Sequence, residues 1–246
     1  MKNHFQKKIF ILLGISLYLS VFSACTFSTE EKESEKESAT SASKISITYK
    51  DSSTFKRVQY PMIDAERITI DSLYVQVAYE LNENRWILIG NSIDEDPTGL
   101  KLLLVDPSQD YKLIYRSKGA YESLILSPSF FKSSNQEDPL IILCGIGQLD
   151  SWGQKVFFMQ GDKINEIDYL DVALLRSDAD DESGYKLEDI SEFTQIKKKS
   201  DGIIFQFLAD SIRYFGVRNE IADPIISSLD LDYRYFNDEL IEEWRK

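Results

Sequence analysis

Histidine occurs once in the 246 residues, at His4, and cysteine twice, at Cys25 and Cys144. One histidine near the N-terminus leaves the body without the commonest general base and the commonest zinc ligand. Ser-His-Asp and Cys-His catalysis are therefore excluded. Cys144 lies in the apolar run PLIILCGIG, where a thiol behaves as a small hydrophobe with little thiolate character. Basic charge is also scarce. The 28 Lys and Arg face 41 Asp and Glu, for a net charge of −13. Such a chain is repelled by nucleic acid and anionic lipid surfaces, so no nucleic-acid partner is expected.

Only one long apolar run is present, IFILLGISLYLSVFSA from Ile9 to Ala24. Its 16 residues fall short of the roughly 18–20 that a membrane-spanning helix needs. A basic start (Lys2, Lys7, Lys8), a short apolar stretch and small residues before a cut site are the parts of a secretory signal. Phe22-Ser23-Ala24-Cys25 resembles the lipobox of bacterial lipoproteins, cut by the signal peptidase II type of enzyme. The resemblance departs from the usual pattern at Phe22, where an aliphatic residue is commonest. It implies a signal peptide over residues 1–24 and diacylglycerol on the Cys25 sulfur. The protein would then sit in the cell envelope, with the outer membrane expected, and the mature chain in the aqueous phase. Each buried methylene contributes about 0.8 kcal/mol, so two or three acyl chains, palmitate among them, anchor it durably.

Loss of residues 1–24 removes His4 and leaves 25 basic against 41 acidic residues. With Cys25 lipidated, Cys144 has no partner for an intramolecular disulfide. Residues 25–44 then form a flexible acidic tether. Its stretch TFSTEEKESEKESATSAS, Thr26 to Ser43, buries too little apolar surface to offset the entropy of ordering. Acidic residues soon after the cysteine resemble the surface-export signals of Bacteroidota lipoproteins; a plain charged linker has the same composition.

Residues 45–246 change character. Ile45–Tyr49 and Leu73–Tyr79 alternate with period two, and nine further runs have strand composition. These are Arg85–Gly90, Leu100–Val105, Tyr111–Tyr115, Leu140–Gly145, Lys155–Gln160, Lys163–Ile167, Phe193–Lys197, Ile203–Leu208 and Ile212–Val217. Turn residues such as Gly161-Asp162 and Lys199-Ser200-Asp201-Gly202 separate them, which predicts sequential antiparallel pairing. The expected fold is mainly β, antiparallel meanders forming a sandwich or barrel-like domain. A weak echo, Trp86–Tyr115 against Ile141–Ile167, keeps a small propeller-like body as the alternative. Phe236, Leu240 and Trp244, four residues apart, predict a short C-terminal helix with Asn237 as its cap. A second short helix is expected near Ile221–Leu229, with Pro224 close to its first turn.

No motif singles out an active site, and no catalytic residue, metal ligand or cofactor is assigned. Ser41-x-x-Lys44 and Ser53-x-x-Lys56 lack the companion motifs of Ser-Lys enzymes. Gly145-Ile146-Gly147 has Asp150 where a dinucleotide loop needs its third glycine. Asp178-Ala179-Asp180-Asp181-Glu182-Ser183-Gly184 has the alternating oxygens of a calcium loop, but its glycine comes one position late and Asp189 replaces the closing Glu. Trp152 either stacks on a sugar ring or simply packs. These features favour a non-enzymatic envelope module that binds a protein or a glycan. The alternatives are a histidine-free carboxylate hydrolase such as a glycosidase, and a structural or immunity-type lipoprotein.

Overall fold

In the computed structural model, runs of Ile, Val, Leu, Phe and Tyr become strands almost wherever turn residues bound them. Residues 53–68, 70, 73–92, 99–120, 123–179 and 184–245 are described, all within the unit Ser43–Lys246. Cys25, the leader, the tether, Ile45–Tyr49 and Asp180–Ser183 lie outside them.

Two meanders come first. Strands β1 (Ser53–Val58), β2 (Met62–Ile63), β3 (Leu73–Asn82), β4 (Arg85–Ser92), β5 (Lys101–Asp106) and β6 (Lys112–Arg116) come first among the described residues. Of these, β2 to β6 form a five-stranded antiparallel sheet in sequence order. Next come β7 (Ile125–Lys132), β8 (Leu140–Gly147), β9 (Ser151–Gln160) and β10 (Lys163–Leu170), again paired in order. The sequence echo is therefore two meanders. They pack face to face through a core that includes Ile87, Ile89, Leu102 and Leu104 against Ile142, Phe157 and Met159. Face-to-face packing of this kind makes a sandwich rather than radial propeller blades.

The rest of the chain builds the other side. Its strands are β11 (Val172–Ser177), β12 (Tyr185–Glu188), β13 (Thr194–Lys199), β14 (Gly202–Phe207) and β15 (Ser211–Tyr214). They are followed by β16 (Val217–Arg218), β17 (Ile221–Ala222), β18 (Ile225–Ser227), β19 (Leu231–Phe236) and β20 (Glu239–Trp244). Strand β1 is a corner: Ser53, Thr54 and Phe55 pair with β13, whereas Lys56, Arg57 and Val58 pair with β7. It thus joins β7–β10 to β13, β14, β19 and β20 in one nine-stranded antiparallel sheet. The edge strands β10 and β20 approach each other, so the sheet is barrel-like and nearly closed. The four-stranded sheet β12-β11-β15-β18 adds to the core under its inner face. PLIILCGIG is apolar throughout because β8 is covered on both sides: Ile141 and Leu143 face one core, Ile142 and Cys144 the other.

The two expected helices are strands instead. Asn237 and Asp238 have φ of 50° and 66°, the two left-handed residues of a tight hairpin turn. They fold β20 back on β19, pairing Phe236 with Glu239 and Leu231 with Trp244. Spacings of four suit one face of a helix and, being even, one face of a strand as well. Leu240 and Trp244 do share a face, which packs on the main core. Ile221–Leu229 likewise divides into β17, β18 and a short 3-10 turn, because Asp223 takes a left-handed φ of 47° that no helix start accommodates. Among the described residues no helix is long and apolar enough to cross a membrane.

Candidate functional site

The corner made by β1 opens a cleft. After Val58 the chain leaves β7, and Gln59-Tyr60-Pro61 carries it to β2, where the Pro61 carbonyl accepts a hydrogen bond from the Glu80 amide at 3.0 Å. Proline has no amide to donate, so the strand cannot continue and the segment straps across to the five-stranded sheet. The gap between this strap and β7 is a cleft of about 300 Å³.

Three rings wall the cleft. Tyr60 meets Phe130 edge to face, with centroids 5.0 Å apart, and Tyr79 meets the same ring at 5.3 Å. Such T-shaped contacts fix ring orientation and contribute about 0.5–1.5 kcal/mol each beyond burial. Phe130 is buried and anchors both tyrosines, which are half-exposed. Burial pushes both tyrosine hydroxyls up, so they stay protonated donors at any physiological pH. The rim is polar apart from Met62, which is 69% exposed. Arg57 donates to Ser129 Oγ at 3.2 Å and to Glu192 at 2.8 Å. The cleft holds rigid apolar faces beside hydrogen-bonding groups, a combination that suits binding.

A second cleft, of about 500 Å³, lies where three turns meet. Arg85 there donates to Asp162 at 2.7 Å and to Asp106 at 3.2 Å. Its charge and hydrogen bonds hold the Asp162 carboxyl below the usual range, and hydrogen bonds from Ser108 do the same for Asp106. Both acids are thus committed as ionised partners, and neither is poised to donate a proton.

Among the described residues the one carboxyl moved the other way is Asp171, just beyond β10. Partial burial pushes it up to about 6, and the charges of Glu242 and Asp168 add to the shift. Glu242 accepts from the Tyr214 hydroxyl at 2.9 Å and from the Trp244 indole at 3.2 Å. The Asp171 amide donates to Tyr233 Oη at 3.1 Å. Asp171 and Glu242 line neither of the two clefts.

The residues singled out by sequence fall elsewhere. Cys144 is fully buried, and burial pushes its thiol far up, which makes it inert as a nucleophile. Trp152 is part of β9 and packs on the core between the meanders. Asp189 lies over Gly145, where any Cβ would collide with its carboxylate. It accepts there from Gln154 Nε2 at 2.8 Å and from the Ser191 amide at 2.7 Å. The centre of the acidic loop, Asp180–Ser183, lies outside the described residues. Among the described residues no group of three or more His, Cys, Asp or Glu is arranged to hold a metal. Arg57 and Tyr60 come from one segment and Tyr79 and Phe130 from two others, so no local motif in the sequence marks the cleft. Tyr60-Pro61, ending a strand, was the available signal.

Comparison with known proteins finds no match: no family model, curated protein or solved structure aligns with this chain.

Proposed function

We propose that the chain is a lipid-anchored envelope protein, held through Cys25, that binds an envelope protein or glycan without chemical turnover. The binding site in this reading is the cleft between the β1 strap and β7. The observation that carries it is the ring wall of Tyr60, Tyr79 and Phe130 beside Arg57, in a cleft with no acid of raised pKa. Cross-linking on intact cells tests it. A partner captured by the full chain should be lost in Met62→Glu, which places charge at the exposed mouth of the cleft without touching the core. Undiminished capture by that variant would remove the cleft from the function. Palmitate labelling lost in Cys25→Ala tests the anchor separately, and persisting label would refute it.

The hydrolase alternative is supported by Asp171 and its acidic neighbours alone. Release of sugar from envelope polysaccharide by the wild type, absent in Asp171→Asn, would make it the leading reading.

A further inference from the structure

Three strands that meet at the β1 corner carry basic residues and no acid: STFKRV in β1, ILSPSFFK in β7 and TQIKKK in β13. In a chain of 41 Asp and Glu against 28 Lys and Arg, this is a local reversal of charge. Register places four of the lysines on one face. Lys56 lies opposite Lys132, and Thr54 lies opposite Lys197. Directly opposed residues share a face of a sheet, as do residues two apart along a strand. Lys56 and Thr54 are therefore on one face with Lys132, Lys197 and Lys199. The next pair along, Val58 opposite Phe130, is on that face too and lines the cleft. The lysines thus continue the cleft along one surface. At about 6.7 Å for every two residues, the run from Val58 and Phe130 to Lys199 covers about 20 Å.

The fold does not neutralise these lysines. At the alternate positions, Arg57 pairs with Glu192 and buried Lys198 with Asp138. On the lysine face, Lys197 donates to a neutral group, Gln206, at 3.0 Å, and Lys56, Lys132 and Lys199 are exposed. Among the described residues none of these last three has an ion-pair partner. Like charges directly opposite destabilise a sheet, so Lys56 facing Lys132 costs stability that a bound anion would offset. The net charge of −13 does not oppose such binding at contact. Charges are screened over about 8 Å at physiological salt, so a ligand touching this face meets the lysines rather than the whole chain.

We propose that the cleft and the lysine face form one site for an anionic glycan, a sugar chain bearing carboxylate or phosphate groups. This rests on the binding role of the cleft proposed above and names the ligand. A sugar ring lies on Tyr60 and Tyr79, whose rings are apolar and whose hydroxyls stay protonated as donors. The anionic groups that follow along the sugar chain meet Lys56 and Lys132, then Lys197 and Lys199. An acidic peptide fits this surface less well. A sheet face offers side chains only, so a peptide lying on it forgoes the main-chain hydrogen bonds through which added strands gain affinity. A sugar chain gives up nothing there, because rings and charges are what it recognises.

The test uses the full chain in detergent micelles and a panel of fluorescent oligosaccharides, some bearing uronates and some phosphates, each beside its carboxyl-reduced or dephosphorylated form. At least one acidic member should bind by fluorescence anisotropy, and its neutral form at least about tenfold more weakly. Lys56→Gln combined with Lys132→Gln should weaken the acidic member about tenfold and leave the neutral form within about twofold. The same pair should keep or raise the melting temperature, because it relieves a like-charge contact; that separates lost binding from lost folding. Met62→Glu should weaken both forms. No binding by any acidic member overturns the proposal, and so does acidic binding unchanged in the lysine variant. An acidic heptapeptide or a DNA oligomer of equal charge that binds as tightly also overturns it, because the face would then select charge without sugar. Acidic and neutral forms bound equally, and both lost in Met62→Glu, remove the lysine face but keep the cleft. Acidic binding lost in the lysine variant but unchanged in Met62→Glu overturns both the joint site and the cleft.

Discussion

The two meanders share a layout yet differ in what lies behind them. Each presents one face to the core between them, including Ile87 and Leu102 on the first and Ile142 and Phe157 on the second. Behind the first lies a small cluster, Ile68, Ala78, Leu88, Leu103 and Val105, closed by partly exposed neighbours such as Ile63 and Trp86. Behind the second lies the main core, where Leu143, Val156 and Phe158 meet side chains from β13, β14 and β19. Strand composition is nearly the same in both, so strand-forming tendency does not set the depth of burial. The depth is set by which other sheets the topology brings over each face.

Unfolding measurements can break or sharpen that contrast. The largest effect is expected for Leu143→Ala, which opens a cavity in the thick core and should cost about 3–5 kcal/mol in denaturant titration. Leu103→Ala, on the back of the first meander, should cost only about 2–3 kcal/mol because a thin cluster relaxes more easily. Equal losses at the two sites would contradict the contrast. Lys155 in β9 is buried, with its ammonium 2.9 Å from Glu166 and 2.9 Å from the Lys118 carbonyl. Lys155→Met removes the ion pair but leaves Glu166 the Tyr115 hydroxyl and the Lys118 amide, and should cost about 2 kcal/mol, whereas Lys112→Met on exposed β6 should stay within about 0.5 kcal/mol.

A further test concerns Asp171, at the end of the second meander. Its folded-state carboxyl, raised to about 6, binds a proton more tightly than the unfolded chain does. Stability should therefore fall as pH climbs from the ordinary carboxyl range through about 6, then level off. Asp171→Asn should flatten that part of the melting-temperature profile, and an unchanged slope would show that another group causes it. The smallest effect is expected at Tyr74, which is 64% exposed on β3. Tyr74→Ser should shift stability by less than about 0.5 kcal/mol.

The strands most legible in the sequence were those with a strong apolar run between turn residues, such as Leu140–Gly145 and Lys155–Gln160. β1 was not legible because STFKRV carries two basic residues, and it is stabilised by pairing on both sides rather than by its own pattern. β7 was hidden by Pro128, which argues against a strand unless an open edge accommodates it. The C-terminal hairpin was hidden because Leu240 and Trp244 satisfy two periodicities at once, and only the turn at Asn237-Asp238 distinguishes them. The candidate site was illegible for a further reason. Tyr60, Tyr79 and Phe130 meet only after the corner in β1 has formed, and no local spacing encodes that meeting.

That corner also sets an order of events in folding. Ser53 pairs with Lys198, and Lys56 with Lys132, so the first described strand waits for partners made far later in synthesis. Pairings of such long sequence separation carry a large loop-closure cost and slow folding. Until β13 has been made, the meanders β3–β6 and β7–β10 can pair internally and Lys56–Val58 can join β7, but Ser53–Phe55 have no partner. A nascent chain thus passes through a stage with exposed sheet edges, the form most open to proteases and to mispairing. Quality control acting on this protein would meet that stage before it meets the finished fold.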